Sequence, residues 1–569
     1  MSLTKVSYSM IAGASANILD FGAVSGSDST TAIQAAINSG AASIVYPPGR
    51  YTVGPLTLAS NQKHIGIGGV LVSTNTGVNM MSGVSVSNVF FTDLIFESTD
   101  VAVSCIALRG TLSPASNCNN IEVNGCSCTG GIQLFSTYQP TGSTYDTITT
   151  AMLSDNIRVI NNSVIGTSAT QSGAGIGAIA LYYAADCVVA NNTIISQKHG
   201  IFLWGGSGSS SPGDSAITNQ RKCFRNSVTG NIIRNIGGGG IVGNMCAETS
   251  VTGNVIETCA DVGIDFESCF TCVASGNYVS DCINGCLVTY NVIHGILFSG
   301  NNCTQTVANR NIVMHNNTVS PAVATVRDVT YVGNVFECAA SITGSQGICF
   351  VSDTSIDLTI TNAIQNIVCS NNTFINCCIR HRGDTIRQAS YIGNTFIYAY
   401  TVGIAFNALE SIAAGGGVTI SSNIFNTLAA PTASTNCIYV SSYSFANQIV
   451  NVIQNNSMIA AASTTWPCAI KCVDAGGTQS TFYTISNNTF NATTGISSTT
   501  TTTKLKAINN SDSLGVPYPY FTSPSTYPTE TFWQVGQIAY ASAGAASAGY
   551  IGAVCTVAGT TWKTFGVIS

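Results

Sequence analysis

Charged residues are scarce in this chain of 569 residues, at 8% of the sequence, against about 25% in an ordinary soluble domain. With 19 lysines and arginines against 25 acidic residues, the chain lacks the basic surface with which a nucleic-acid-binding protein neutralises phosphates. It also lacks any run of about 18 consecutive apolar residues, so we expect no membrane insertion. Because 45% of the residues are hydrophobic, we expect a folded chain and not a disordered one.

A signal peptide and a disulfide framework are not expected either. The N-terminal segment Met1–Val24 lacks the apolar stretch of a signal peptide. The 22 cysteines are well below the density of a disulfide scaffold. We therefore expect synthesis in a reducing cytoplasm, with most thiols free and buried.

What the sequence does contain is a repeated motif, in which an Asn is usually preceded by Asn or Gly and followed by a small and then an apolar residue. In the clearest stretch the key residues are Asn231, Asn254, Asn277 and Asn301, at spacings of 23, 23 and 24. Short β-rich segments at this period predict a right-handed parallel β-helix with coils about 4.8 Å apart. We expect these asparagines to take left-handed geometry at tight corners and to hydrogen-bond amide to amide between coils. Reading them as N-glycosylation sites leaves the period unexplained.

Cysteines follow the same period. Cys223, Cys246 and Cys269 each stand eight residues before a key Asn, which predicts a column of stacked thiols inside the helix. The pair in Cys269–Cys272 together with Cys282 and Cys286 would also suit zinc, but interior packing accounts for three of these four, so we expect no metal site.

A second signal lies near the N-terminus, in "ILDFGAVSGSDSTTAIQAAINSGAASIVYPPGRYTV" (Ile18–Val53). The blocks Asp20–Ala23, Ala32–Ile37 and Tyr46–Tyr51 resemble the N-terminal motif of the pectate-lyase-like β-helix superfamily, as found in bacteriophage tailspike depolymerases. The acidic stretch of that motif is replaced here by "GSDST". The segment "TTAIQAAI" predicts a short cap helix over the open end of the solenoid.

The resemblance implies an all-β, single-stranded parallel β-helix in a homotrimeric virion spike. Such a spike is assembled in the host cytoplasm, needs no cofactor, and binds and cleaves a polysaccharide of the host bacterial surface (capsule or O-antigen). Together with the composition of the chain, it predicts five regions: a peptide for attachment to a virion tail or baseplate protein, the cap with the first coils, the β-helix, a linker rich in Pro and Tyr, and a small β-rich module. We place these regions at residues 1–16, 17–60, 61–511, 512–530 and 531–569.

Acidic residues cluster in one part of the predicted helix, since six of the 25 fall between Glu248 and Asp281. Four segments of the repeat begin with Gly200, Gly240, Gly263 and Gly285, and their register predicts which way these acids point. By strand alternation, the third and fifth positions of each segment face outward. The two predicted outer columns are Phe202, Val242, Asp265 and Leu287, and Trp204, Asn244, Glu267 and Thr289.

Asp265 and Glu267 therefore share one outer face, with Cβ atoms about 6.5–7 Å apart. Glycoside hydrolysis needs two carboxylates that flank the scissile bond, one acting as acid and the other as base or nucleophile. "GIDFE" also resembles a "GIDxE" strand of several tailspike hydrolases. We predict Asp265 and Glu267 as the catalytic pair, with Asp261 or Glu248 as alternative partners.

Substrate binding is predicted around this pair. Phe202 and Trp204 offer apolar faces to sugar rings, and Asn244 and His199 lie beside them in the alignment. The segment 205–222 is longer than its counterpart in the next coil and should form a lip, from which Arg221 and Lys222 could meet an anionic sugar. Three alternatives remain: an acidic face that only confers solubility, an adhesin that binds glycans without cutting them, and a lyase that acts on uronic acids with a Lys or Arg base and often Ca²⁺.

Overall fold

A computed structural model describes residues 15–73, 77–98, 104–130, 133–144, 147–166, 177–206, 221–290, 292–307, 310–317, 326–338, 348–352, 365–382, 387–398, 408–414, 417–427, 436–443, 449–460, 465–474, 481–498, 504–515, 517–518, 520–521, 537–541, 550–557 and 561–567. The chain divides into two units, residues 1–296 and 297–569. Residues 1–14 of the predicted attachment peptide and most of the predicted linker lie outside the described residues.

In the first unit the chain visits three parallel sheets in turn, here named A, B and C, once in each coil. Sheet A contains Ala16–Asn17, Ser43–Tyr46, Gln62–Gly66, Ser87–Thr92, Asn119–Asn124, Ser154–Ile160, Ala184–Ala185, Val188–Ala190, Cys223–Phe224, Ser227–Thr229, Cys246–Ala247, Ser250–Thr252 and Val273–Ser275. Sheet B contains Gly49–Thr52, Gly69–Ser73, Ile95–Ser98, Ser127–Thr129, Ser163–Ile165, Thr193–Ile195, Ile232–Ile236, Val255–Cys259 and Tyr278–Ser280. Sheet C contains Leu56–Thr57, Met81–Val84, Ser104–Thr111, Gln133–Thr141, Ile179–Tyr182, Ile201–Trp204, Ile241–Asn244, Val262–Glu267 and Gly285–Tyr290. The predicted right-handed single-stranded parallel β-helix is confirmed.

The second unit repeats the arrangement in sheets D, E and F, and the strand Ile293–Ser299 contains the division between the units. Sheet D contains Val326–Val332, Gln365–Ser370, Arg387–Ile392, Val418–Ser421, Ile449–Gln454, Thr481–Ser486 and Lys504–Ile508. Sheet E contains Asn302–Gln305, Val335–Cys338, Thr373–Ile375, Thr395–Tyr398, Ile424–Thr427, Ser457–Ala460, Thr489–Phe490, Asn510–Asp512 and Pro517–Tyr518. Sheet F contains Val313–Asn317, Ile348–Ser352, Ile379–Arg382, Leu409–Ala414, Asn436–Tyr443, Trp466–Asp474 and Ala492–Ser498. A separate four-stranded sheet contains Tyr520–Phe521, Ile538–Ala541, Tyr550–Val557 and Thr561–Val567.

Helical segments are short. Two 3₁₀ turns span Ile18–Phe21 and Thr150–Met152, and an α-helix spans Thr30–Asn38 and buries Ile33, Ala36 and Ile37 on one side. Gln62 Nε2 donates a hydrogen bond to the Ile37 carbonyl (2.8 Å), which ties the helix to the first coils. That the helix closes the end of the solenoid stays a prediction. Within the described part of the chain, no helix has both the length and the apolar character needed to cross a membrane.

A ladder of asparagines joins the coils at one corner. Asn254 Oδ1 accepts two hydrogen bonds from Asn231, one from its backbone N–H and one from its Nδ2–H, both at 2.9 Å. Asn277 Oδ1 accepts the same pair from Asn254. The predicted amide-to-amide bond is therefore confirmed. The ladder comprises Asn162, Asn192, Asn231, Asn254 and Asn277 in the first unit, and Asn301, Asn334, Asn372, Asn394, Asn423, Asn456, Asn488 and Asn510 in the second, all buried.

Left-handed backbone geometry belongs to the residue before each ladder Asn and not to the ladder Asn itself, which corrects the prediction. Asn161 and Asn191 have φ values of 58° and 57°, and Gly230 and Gly253 have φ values of 65°. Gly adopts this conformation because it has no Cβ atom, and Asn is the side chain that tolerates it best. The frequency of "NN" and "GN" in the repeat follows from this requirement.

The cysteine column is confirmed. Cys223 lies opposite Cys246 in neighbouring strands, and the Cys246 N–H donates to Cys269 Sγ at 3.4 Å. All three side chains are fully buried. Every cysteine whose side chain the structure describes is buried and outside any disulfide, as predicted.

Candidate active site

The candidate site lies on the outer face of sheet C, where side chains from successive coils form two columns. Ile264 and Phe266 alternate with the two acids of their strand and are buried in the interior. The structure thus places Asp265 and Glu267 on the same outer face. The first column is Ala180, Phe202, Val242, Asp265 and Val288, and the second is Tyr182, Trp204, Asn244, Glu267 and Tyr290.

The last member of each column differs from the prediction. Asp265 lies opposite Val288 and not Leu287, and Glu267 lies opposite Tyr290. Leu287 and Thr289, which were expected outside, are fully buried. The reason is that Gly285 pairs with Val262 and not with Gly263. Gly285 and Gly263 are therefore not equivalent positions, and a prediction that treats them as equivalent is displaced by one residue along the strand.

Asp265 is a half-buried carboxyl group whose Oδ1 atom is buried and has no hydrogen-bond partner among the described residues. Burial raises the pKa of Asp265 well above its usual range, and the negative charge of Glu267 raises it further. Cys269 and Asp261 add smaller contributions in the same direction. A carboxyl group in such surroundings holds its proton more tightly than an ordinary Asp, which is the property that a general acid requires.

Glu267 is in a different environment, because Asn244 Nδ2 donates a hydrogen bond of 2.6 Å to its Oε2. Such a donor orients the carboxylate and binds its ionised oxygen. Asn244 itself is only 4% exposed, and its Oδ1 atom has no hydrogen-bond partner in the described part of the chain. The two acids, which lie two residues apart on one strand, thus differ in their surroundings as an acid and a base must.

Asp261 and His199 lie next to this pair. Asp261 stands in the turn before the strand and accepts a hydrogen bond from Asn284 Nδ2 (2.7 Å). Its negative charge contributes to raising the pKa of Asp265 and opposes the lowering of the pKa of His199. Burial lowers the pKa of His199, and Lys198 lowers it further. Because His199 Nδ1 accepts a hydrogen bond from the Gly239 N–H (2.9 Å), the neutral ring carries its proton on Nε2.

An aromatic shelf adjoins the acids. The rings of Phe202 and Trp204 are stacked with centroids 5.6 Å apart, and Tyr182 lies 6.2 Å from Trp204. Tyr138 extends the shelf by one coil, since its ring is parallel to that of Tyr182 at 6.3 Å. Tyr138, Tyr182 and Tyr290 were not predicted from the sequence. The likeness of "IALY" (Ile179–Tyr182) to "IFLW" was the signal that could have revealed Tyr182.

Glu248, Arg221 and Lys222 lie elsewhere, around a separate cavity of about 430 Å³. Glu248 follows a strand of sheet A and is exposed, so it does not share the outer face of sheet C with Asp265. Arg221 is only 1% exposed, because its Nε donates to the Ser268 carbonyl and its guanidinium lies 3.4 Å from the centre of the Phe270 ring. Contrary to the prediction, Arg221 is therefore held in the protein and does not project from a lip. Residues 207–220 of that lip lie outside the described residues.

The residues in place suit acid–base chemistry on a sugar. No group of three or more His, Cys, Asp or Glu side chains among the described residues could hold a metal ion. What the face offers is two carboxyl groups in unlike environments, a buried amide, and a run of aromatic rings. Paired carboxyl groups beside an apolar platform are the set that glycoside hydrolysis uses.

No family model matches the chain. No curated protein matches it either. Several solved structures are similar to it, among them phage tailspike proteins and β-helical glycoside hydrolases.

One similar structure is a tailspike mutant of the Escherichia coli bacteriophage HK620 in complex with a pentasaccharide; it is 13% identical, with 86% of this chain and 80% of that chain covered and a TM-score of 0.46. Another is a Yersinia enterocolitica family 28 exopolygalacturonase, at 15% identity, 67% and 75% coverage and a TM-score of 0.41. A third is PfbA, a surface adhesin of Streptococcus pneumoniae, at 11% identity, 79% and 93% coverage and a TM-score of 0.36. At these identities and TM-scores the likeness carries no conclusion about activity.

Proposed function

We propose that the protein is a phage tailspike that binds a polysaccharide of the bacterial surface, capsule or O-antigen, and hydrolyses its glycosidic bonds. The observation that carries this proposal is Asp265, a carboxyl group with raised pKa on the same outer face as Glu267 and the aromatic shelf. One of its oxygens is buried and has no hydrogen-bond partner among the residues that the structure describes. The resemblance of Ile18–Val53 to tailspikes supports the virion context, a homotrimeric assembly and attachment through the N-terminal residues.

In the proposed reaction Asp265 gives its proton to the glycosidic oxygen as the bond from the anomeric carbon to that oxygen breaks. Glu267, oriented by Asn244, accepts a proton from the water that attacks the anomeric carbon. Positive charge that develops on the sugar ring is stabilised by the two carboxyl groups. The reaction needs only water as co-reactant.

The aromatic shelf and the buried amide bind the sugar chain in this proposal. The faces of Trp204, Phe202 and Tyr182 offer apolar surface to the C–H faces of sugar rings. Asn244 Oδ1 is positioned to accept a hydrogen bond from a sugar hydroxyl, which would satisfy a buried acceptor that has no partner among the described residues.

Incubation of the full chain with a panel of purified bacterial capsules and O-antigens, followed by sizing of the products, tests the proposal. We expect at least one polymer to be shortened by the wild type, and by neither Asp265→Asn nor Glu267→Gln. Glu257→Gln is the matched control, because Glu257 belongs to the same coil but lies in sheet B, ion-paired with Arg234. Products with an unsaturated uronic acid would indicate a lyase, and binding without cleavage would indicate an adhesin; either result contradicts the proposed hydrolase.

A further inference from the structure

The second outer column of sheet C continues beyond the aromatic shelf to an arginine. Arg109 lies opposite Tyr138 on the neighbouring strand and is exposed on the same face. The side chains between Arg109 and the proposed base follow one another coil by coil. In order they are Arg109, Tyr138, Tyr182, Trp204, Asn244 and Glu267. Five steps of about 4.8 Å place Arg109 about 24 Å from Glu267 along the solenoid.

Arg109 differs from the other described arginines of the first unit. Four of them form ion pairs: Arg50 with Glu97, Arg158 with Glu122, Arg225 with Asp186, and Arg234 with Glu257. A fifth, Arg221, is buried against Phe270. No described carboxylate lies within salt-bridge distance of Arg109. It is thus the exposed arginine of this unit that lacks an acidic partner among the described residues, whereas the other four are ion-paired.

A cavity of about 360 Å³ adjoins this guanidinium, and its lining includes Asn79, Ser82, Tyr138 and Gln139. Next to Arg109, the first outer column contains only small side chains, Ser82, Ala107 and Ser136. These small residues leave room above the sheet beside the Tyr138 ring. The cavity thus combines a planar cation, an aromatic ring and polar side chains.

We propose that the polysaccharide bound by this protein is acidic and that Arg109 binds a sugar carboxylate in this cavity. The inference rests on the proposed function, since it takes the outer face of sheet C as the polysaccharide site. A guanidinium binds a carboxylate through two parallel N–H···O bonds, which a neutral sugar cannot offer. The polymer then lies along the solenoid axis, with an acidic unit about 24 Å from the bond that is cut.

Binding measurements with the Asp265→Asn/Glu267→Gln double variant, which should not cut the polymer, test this proposal. The probes are purified acidic capsular polysaccharides, the same polymers after chemical reduction of their carboxyl groups, and neutral O-antigens. We expect an acidic polymer to bind, and its reduced form to bind at least about tenfold more weakly, because a charge-assisted hydrogen-bond pair is lost. Adding Arg109→Ala should weaken binding of the acidic form to a similar degree and leave binding of the reduced form unchanged. Arg109→Lys should retain part of the affinity.

Arg158→Ala is the matched control, since Arg158 is an exposed arginine on sheet A with Glu122 as its partner, and it should bind as the parent does. The proposal is overturned if only neutral polymers bind, if no acidic polymer binds, or if Arg109→Ala binds the acidic and reduced forms as tightly as its parent does. These results are distinct from a failure of the proposed function. If an acidic polymer binds with an affinity that depends on Arg109 but the wild type never cuts it, the Arg109 subsite is supported and the proposed hydrolase is contradicted. If the wild type binds and cuts only a neutral polymer, the hydrolase is supported and the Arg109 subsite is contradicted.

Discussion

At the scale of single residues, the candidate site depends on an acid, Asp265, whose ionisation is disfavoured in the folded protein. Asp265 has a buried oxygen that finds no hydrogen-bond partner in the described part of the chain, and a second carboxyl group lies nearby. Neither feature stabilises the folded chain, because an unsatisfied buried oxygen and a like charge both disfavour ionisation. A residue kept in such surroundings is better explained by chemistry than by packing.

Replacement of Asp265 by Asn should therefore make the protein more stable at neutral pH. The pKa of Asp265 is raised in the folded protein relative to the unfolded chain. The wild type therefore loses folding free energy as the pH rises from the unfolded-state pKa to the folded-state pKa. Asn cannot ionise. The Tm of Asp265→Asn minus that of the wild type should grow from acidic to alkaline pH in thermal unfolding measurements. Glu257→Gln, which removes an ion pair, should show no such gain, and a pH-independent difference for Asp265→Asn would contradict the account.

At the scale of the structural element, each coil is fixed to the next by the asparagine ladder. One ladder Oδ1 accepts both the backbone and the side-chain N–H of its neighbour. The corner is buried, so no water replaces a lost acceptor. The ladder thus contributes mainly by satisfying donors that the sharp turn would leave without partners.

Asn254→Ala should lower the stability of the chain markedly. The change leaves the N–H and Nδ2–H of Asn231 without their acceptor, and each buried group left unsatisfied costs about 1–3 kcal/mol. Asn38→Ala, at an exposed site on the α-helix, is the control and should change the unfolding free energy by well under 1 kcal/mol, as about 0.5 is usual for surface changes. Equal effects of the two variants in thermal or urea unfolding would show that the ladder does not stabilise the coils.

The residue before the ladder Asn gives a separate test of the corner geometry. Gly253 has a φ of 65° and no atom within 4 Å of an added Cβ, so conformation and not space limits what it can become. Gly253→Asn should be tolerated, because Asn161 and Asn191 occupy the equivalent place in other coils. Gly253→Val should cost about 1–2 kcal/mol or more. If both variants unfold at the wild-type temperature, left-handed geometry is not the constraint.

At the scale of the whole molecule, the sequence predicts the fold because a solenoid repeats its contacts. One period of 23 residues places Asn231, Asn254 and Asn277 in a ladder and Cys223, Cys246 and Cys269 in a column. The same period placed Asp265 opposite Val242. Contacts between adjacent coils therefore require the same residue types at a regular spacing in the sequence.

The site was harder to predict where coil lengths vary. From Tyr138 to Tyr182 the chain runs through a long excursion that includes the 3₁₀ turn Thr150–Met152, so no fixed period links these rings. Gly285 stands one residue earlier in its strand than Gly263 does. This single difference displaced the predicted neighbours of Asp265 and Glu267 in the next coil by one residue. The burial of Arg221 against Phe270 could not be predicted from the sequence. The two residues are far apart in the chain, and the polar residues that flank Arg221 do not indicate that an aromatic ring covers it.

Assembly is also a property of the whole molecule, and the proposed tailspike should be a homotrimer. Sedimentation equilibrium of the full chain should then give three times the chain mass of 58.8 kDa, unchanged by Asp265→Asn. A monomer across the concentration range in which the protein acts would contradict this part of the proposal.

The central claim is that Asp265 and Glu267 hydrolyse a glycosidic bond, and cleavage in oxygen-18-labelled water tests it most directly. With the polymer that the wild type shortens, mass spectrometry should show one labelled oxygen at each new reducing end. Asp265→Asn should lower the rate by about 10²–10⁴-fold, the usual contribution of a general acid, while Glu257→Gln leaves it unchanged. Products without label, or an Asp265→Asn variant that cuts at the wild-type rate, would contradict the account.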